Sequence, residues 1–209
     1  EAPLEATRFA NPWNIGPERW DKDASRFTFY YNQRGHDVVR IVAIDAESGA
    51  VTALIDDPSQ TFVNYSNYNH RSLLESTNEM IWMSERDGWN HLYLFDFGSG
   101  KLKNQITKGP WIVRKVDQVD TAKRQIWFQA GGIYPEQDPY YIHYCRINFD
   151  GTGLVKLTAG NGTHSIKYSP DREFIIDTYS RVDMPPVNEL RRVSDGSLVC
   201  LLEKSDASE

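Results

Sequence analysis

"SERDGWNHLYLFDFGSGKLKNQITKG", residues 84–109, is the stretch on which the fold turns. An apolar and aromatic run, "NHLYLFD", ends at Asp96, a Gly-Ser-Gly corner follows, and a second run, "LKNQIT", leaves it. Strand-forming residues on both sides of a short Asp/Gly turn mark an antiparallel hairpin. The phrase recurs as "DAESGAV" (45–51), "FDGTGLV" (149–155) and "SDGSLV" (194–199), and Gly49, Gly100, Gly153 and Gly196 follow one another at intervals of 51, 53 and 43 residues.

The runs around these turns keep a common order. Ahead of each hairpin stands an aromatic and β-branched strand: "RFTFYYNQ" (26–33), "EMIWMSER" (79–86), "RQIWFQAG" (124–131) and "EFIIDTYS" (173–180). Each is preceded by a polar tight turn, "KDASR", "ESTNE", "DTAKR" or "SPDRE", whose Asp, Ser and Pro suit turn geometry. The third strands are "VVRIVAID", "HLYLFD", "YIHYCRINF" and "NELRRVS", and the fourth "VTALID", "LKNQIT", "LVKLT" and "LVCLLE". A four-strand unit repeated at this period predicts an all-β protein, a β-propeller of about four four-stranded antiparallel blades over residues 13–56, 61–108, 111–159 and 163–203. A β-sandwich also has short, regularly spaced strands, but it does not require the same four-part phrase four times. Four blades would close only a small ring, and the last unit contains no strand suited to closing it. Half of a larger ring is therefore expected, and a chain opening on Glu1 rather than Met is read as lacking an upstream piece.

Composition narrows the function classes. Of the 209 residues, 40% are hydrophobic and 12% aromatic, enough for a packed core, and the formal charge of −6 argues against a nucleic-acid partner. No apolar run is long enough for a membrane span, and "EAPLEATRFANPWN" lacks the features of a signal peptide. Cys145 and Cys200 fall in apolar strands and are expected to be buried free thiols. No cofactor is expected. His143 and Cys145 share a strand face, but two ligands without a second cluster make no metal site. The Asp/Gly corners lack the spacing and the terminal glutamate of calcium loops. Asn64-Tyr65-Ser66 and Asn161-Gly162-Thr163 are read as chance matches to the glycosylation pattern.

Several longer phrases, "YNQRGH", "SERDGWNHLYLFD", "QITKGPWIVRKVDQVD", "DPYYIHYCRINFDGTGLVKLT" and "YSPDREFIIDTYSRVDMPPV", resemble in order the N-terminal propeller of dipeptidyl peptidase IV-like enzymes of the prolyl oligopeptidase family, bacterial members above all. The resemblance runs from about Arg26 to Glu203. It implies an eight-bladed ring of which this sequence is the second half, partnered by the remaining blades and by an α/β-hydrolase domain. The parent would be a serine-type dipeptidyl aminopeptidase acting on peptides with a free N-terminus, in the periplasm or secreted. Neither the Gly-x-Ser-x-Gly elbow nor the Glu-Glu amine clamp of that family occurs here, so no catalytic residue is carried over. The alternative is a stand-alone propeller module binding a protein or glycan. Self-association through exposed end blades is expected of a half-ring.

One end of the blades carries the richer loops: "NQRGHD", "SERDGWN", "GGIYPEQDPY", "SRVDMPP", "DDPSQTFVNYSNYNHR", "TKGPW" and "TAGNGTH". Their aromatic and arginine residues are of the type that dominates recognition surfaces. The candidate recognition face comprises Arg34, Arg86, Trp89, Trp111, Tyr134, Asp138, Arg181 and Asp183. Because Arg34, Arg86 and Arg181 recur at matching places, pairing with neighbouring carboxylates such as Glu85 or Asp183 is the architectural reading. Trp82 and Trp127, at equivalent second-strand positions, are expected in the core, and His91 and His143 in structural hydrogen bonds.

Overall fold

The computed structural model describes residues 11–206. It is all-β, with four antiparallel sheets in which, β2 apart, the strands lie side by side in sequence order, as in propeller blades. The first sheet contains β1 (Pro12–Ile15), β2 (Arg19–Trp20), β3 (Arg26–Gln33), β4 (Val38–Asp45) and β5 (Val51–Pro58). The second contains β6 (Arg71–Leu74), β7 (Glu79–Ser84), β8 (His91–Asp96) and β9 (Leu102–Gln105). The third contains β10 (Ile112–Asp120), β11 (Gln125–Gly131), β12 (Ile142–Asn148) and β13 (Val155–Lys156), and the fourth β14 (Thr163–Tyr168), β15 (Phe174–Arg181), β16 (Met184–Arg192) and β17 (Leu198–Lys204). No helix long and apolar enough to cross a membrane occurs among these residues.

The first sheet has five strands rather than four because its innermost strand is broken: β1 and β2 both pair with β3. Gly16 and Pro17 make the break, with the Gly16 amide still donating to Tyr30 O while Pro17 has no amide to give. The stretch expected as the loop "SRVDMPP" is mostly strand, a tight hairpin that turns over Val182 and Asp183, with Arg181 opposite Met184. Pro185 and Pro186 are tolerated there because the ladder steps from Tyr179–Val187 to Arg181–Met184 across an irregularity that leaves them out of register.

The Asp/Gly corners are hairpin turns held by their own donors. Asp45 Oδ1 accepts from the amide and hydroxyl of Ser48, Asp96 Oδ1 from those of Ser99, and Asp150 Oδ1 from those of Thr152. With those oxygens engaged, the corners are turn scaffolds. Gly100 and Gly196, at φ 70° and 74°, also lie where a neighbouring strand passes. A Cβ on Gly100 would stand 2.2 Å from Leu54 O, and one on Gly196 would stand 2.1 Å from Lys156 O. The turn of one sheet thus rests on the last strand of the sheet before it.

Two compact units divide the chain, one holding residues through Gly88 together with Tyr93–Asn104, the other Trp89–Leu92 and Gln105 onward. In the first, Val39, Ile41, Leu54 and Ile55 pack against Met80, Trp82, Tyr93 and Phe95. In the second, Trp127 and Leu157 pack against Ile175 and Val193. Trp82 and Trp127 are both buried, but they are not equivalent. Trp82 is the fourth residue of β7 and Trp127 the third of β11, and the period-two strand puts them on opposite faces. Cys145 is buried as expected, whereas Cys200 is exposed, because every residue of the outermost strand β17 is exposed.

Candidate functional site

The richest surface lies in the first unit, where the segment after β5 folds back over the β3–β4 turn. Gly35 (φ 103°) and His36 (φ 59°) make that turn in the left-handed region. The turn accepts the returning chain through Ser59 N to Asp37 O at 2.7 Å and Val63 N to His36 O at 2.6 Å. This brings four aromatic rings together. His36 stacks on Tyr65 at 4.2 Å between centroids, meets Trp13 edge-on at 5.2 Å and Phe62 at 5.6 Å. The Arg34 guanidinium lies 5.3 Å from the Trp13 ring. Trp13 and Phe62 remain 51% and 48% exposed, so apolar rings stand open beside a cation, an arrangement suited to ligand contact.

Beside the platform runs a cleft of about 590 Å³, with Asp57–Thr61 on one wall and Ser84–Arg86 on the other. Its floor is a buried carboxylate. Asp57 accepts from Trp82 Nε1 at 2.7 Å, Ser84 Oγ at 2.7 Å and Arg86 Nη2 at 3.0 Å. Arg86 also lies 5.0 Å from the Tyr93 ring and 5.2 Å from that of Phe95. Asp57 rather than Glu85 is therefore its partner, because β5 brings its last carboxylate under the guanidinium. Burial and then the Asp57 charge push the Glu85 carboxyl above its ordinary range. Burial likewise holds the Tyr93 phenol well above the usual tyrosine value.

The other candidates belong to the second unit. Trp89 is 43% exposed. Trp111 is not on the surface: its ring is buried, stacked on Phe128 at 5.9 Å and meeting His91 edge-on at 5.0 Å. Tyr134 donates its hydroxyl to Thr158 O at 2.9 Å and carries Lys156 Nζ 4.0 Å above its ring, and burial pushes its phenol up to about 12. Asp138 accepts from the Tyr140 amide and shapes its own loop. Arg181 forks onto Asp183 at 3.0 and 3.3 Å within one turn. Arg34 and Arg86 thus fall in the first unit's surface, and the remaining candidates belong to the second unit. The ring cluster of Trp13, His36, Phe62 and Tyr65 and the anchor Asp57 were not singled out by sequence. Their only signal was the aromatic density of residues 62–68.

His91 and His143 share a latch. His91 Nδ1 lies 3.0 Å from Thr107 Oγ1 and its Nε2 3.0 Å from Gly109 O, while His143 Nδ1 lies 3.3 Å from Thr158 Oγ1 and its Nε2 2.9 Å from Gln137 Oε1. Each threonine oxygen also accepts the amide of the residue after the histidine. A His followed by Thr 16 or 15 residues later is the trace this leaves in the sequence. Burial, with His164 and Lys156 nearby, pushes His143 down to about 3. No three metal-ligating side chains stand together among the described residues.

The family model described as the dipeptidyl peptidase IV (DPP IV) N-terminal region matches residues 9–186. A protein of Aspergillus flavus described as a dipeptidyl peptidase 4 is 26% identical over 158 residues, covering 73% of this chain and 20% of that protein. The dipeptidyl peptidase 4 of Arthroderma otae is 27% identical over 115 residues, covering 54% of this chain and 14% of that protein. The chain thus spans a fifth or less of the length of these relatives. In fold, it is similar to the crystal structure of Porphyromonas gingivalis dipeptidyl peptidase 4, with a TM-score of 0.63 at 23% identity over 88% of this chain and 25% of that one. A Bacteroides ovatus protein described as a dipeptidyl aminopeptidase IV gives a TM-score of 0.63 at 20% identity, over 92% of this chain and 29% of that one. The chain belongs to the family of dipeptidyl peptidase IV N-terminal regions.

Proposed function

We propose that this chain is the propeller portion of a dipeptidyl peptidase IV-like serine exopeptidase and that it shapes access to the active site for short peptides with a free N-terminus. The observation that carries the reading is the family match over residues 9–186. In this reading the nucleophile and its partners reside in an α/β-hydrolase domain of the parent chain, and the parent releases dipeptides by acyl transfer to a serine and then to water. The propeller contributes walls rather than chemistry. Remaining blades complete the ring, and the parent works in the periplasm or is secreted. The exposed apolar residues of β17, Leu198, Leu201 and Leu202 among them, are where neighbouring blades or a second copy would pack.

A second reading, a stand-alone propeller module for a protein or glycan, draws on the open platform of Trp13, Phe62 and Tyr65 with Arg34 beside it. The two readings separate in the enzyme encoded by the full reading frame. Phe62→Ala and Arg34→Ala should raise KM for tetrapeptides and longer substrates several-fold, and leave kcat/KM for a dipeptidyl anilide unchanged. Equal kinetics on both substrate lengths would remove the access-shaping role.

A further inference from the structure

The cleft of the first unit carries one negative charge more than it neutralises. Among the residues that line it, only Asp57, Glu85 and Arg86 are charged, a formal balance of −1. Arg86 is committed to the floor: its Nη2 donates to Asp57 Oδ1 at 3.0 Å and its Nε to Ser84 Oγ at 3.1 Å. Asp57 therefore has its cation, and Glu85 is the carboxylate left over. Among the described residues its carboxylate has neither a hydrogen bond nor an ion pair. Asp57 is buried at 6% exposure, whereas Glu85 is exposed, so a ligand in the cleft can reach it. The rise of the Glu85 carboxyl above its ordinary range, caused by burial and then by the Asp57 charge, fits a carboxylate that has lost water without gaining a cation.

The rest of the cleft indicates what would carry that cation. Its volume of about 590 Å³ lies within the range of small-molecule sites, about 300–1,000 Å³. Val63, Tyr68 and Met83 contribute apolar lining. That suits an aliphatic stem, because long cationic side chains lay their methylenes on apolar surface while the charged head seeks a polar partner. On the Asp57–Thr61 wall, the exposed Gln60 carboxamide has no partner among the described residues. It can donate and accept at once, which matches a peptide group. One surplus charge fits a single cation at the end of a stem better than a free diamine.

We propose that this cleft binds the side chain of a lysine or arginine in a peptide, with Glu85 as its counter-ion and Gln60 on the adjoining peptide group. The proposal does not rest on the peptidase reading, because binding is read on the 209-residue chain with probes whose α-amino group is blocked or absent. The test is NMR of that chain, uniformly isotope-labelled and titrated separately with Nα-acetyl-lysine amide, Nα-acetyl-norleucine amide and cadaverine. The Trp82 indole reports on the cleft floor, since its Nε1 donates to Asp57 Oδ2 at 2.7 Å, and the backbone amides of Gln60 and Glu85 report on the two walls. The lysine probe should shift these three signals saturably and leave the Trp127 indole, in the other unit, in place. Glu85→Gln should weaken that response at least about tenfold, the loss of one hydrogen bond to a charged group; an unshifted Trp82 indole in the ligand-free variant shows that the floor is intact. An equal response to the norleucine probe would overturn the cation assignment, and an equal or stronger one to cadaverine the peptide assignment. An undiminished response in Glu85→Gln would remove Glu85 as counter-ion, and no shift with any probe would overturn the site.

Discussion

Removing the Asp57 carboxylate should destabilise the first unit more than any other single polar change in it. In Asp57→Ala the Trp82 indole N–H, only 2% exposed, loses its acceptor, which costs about 1–3 kcal/mol for an unsatisfied buried donor. Ser84 loses the acceptor for its hydroxyl proton, a further ~1 kcal/mol. The Arg86 side chain is 26% exposed and can rehydrate, so its lost ion pair adds only about 0–1 kcal/mol. The sum is about 2–5 kcal/mol, or a fall in Tm of roughly 4–20 °C for a chain of this size. Asp57→Asn separates charge from hydrogen bonding. Its amide oxygen can still accept from Trp82 and its NH₂ can donate to Ser84 Oγ, so it should lose less than half as much. Urea denaturation at pH 7, followed by tryptophan fluorescence, measures both variants. An Asp57→Ala protein within about 0.5 kcal/mol of wild type, well below the cost of an orphaned buried donor, would refute the reasoning, as would an Asp57→Asn protein equally damaged.

Three further outcomes are expected. Burial holds His143 down to about 3 from its ordinary 6.5, and burial with Arg71 nearby also lowers His70. The unfolded chain therefore takes up protons first as pH falls. Stability should be complete above pH 6.5 and decline towards about pH 3, steepening below the ordinary aspartate value of 3.8 as the turn carboxylates of Asp45, Asp96 and Asp150 protonate. Glu85 and Asp117, raised by burial, act in the opposite sense. His143→Gln should flatten the decline between pH 6.5 and 4 in urea titrations, and an unchanged slope would contradict it. Gly88 and Gly100 both have positive φ, but a Cβ on Gly88 meets nothing within 4 Å. Gly88→Ala should therefore cost about 1 kcal/mol and Gly100→Ala at least about 3 kcal/mol once the collision with Leu54 O adds to the strain; equal losses would show that the collision does not matter. Finally, one thiol should react with a disulfide reagent in the native protein, the exposed Cys200, while Cys145, buried and pushed up to about 12, waits for unfolding. Two fast equivalents would overturn that placement.

What the sequence made legible is what local chemistry dictates. The Asp/Gly corners specify their hairpins because Asp45, Asp96 and Asp150 accept from residues two or three places on, and the strands follow from alternation between those corners. What it hid is set at longer range. Trp82 and Trp127 look alike in sequence, yet a one-residue difference in distance from the preceding turn sends them to opposite faces. Trp111 looked like a surface aromatic until Phe128 and His91 enclosed it. Arg34 and Arg86 were visible as recognition candidates, but the partners that define their roles, Trp13 and Asp57, lie 21 and 29 residues away along the chain. Pro185 and Pro186, part of the stretch read as a loop, instead occupy an irregular step of a strand.

The most direct test of the central claim compares this chain with the protein encoded by the full reading frame on a Gly-Pro chromogenic anilide. The account predicts hydrolysis by the full protein that is abolished by a serine-directed inhibitor, and none above buffer from the 209-residue chain. Inhibitor-sensitive turnover by this chain alone, or a full protein without activity on N-terminally free peptides, would contradict it.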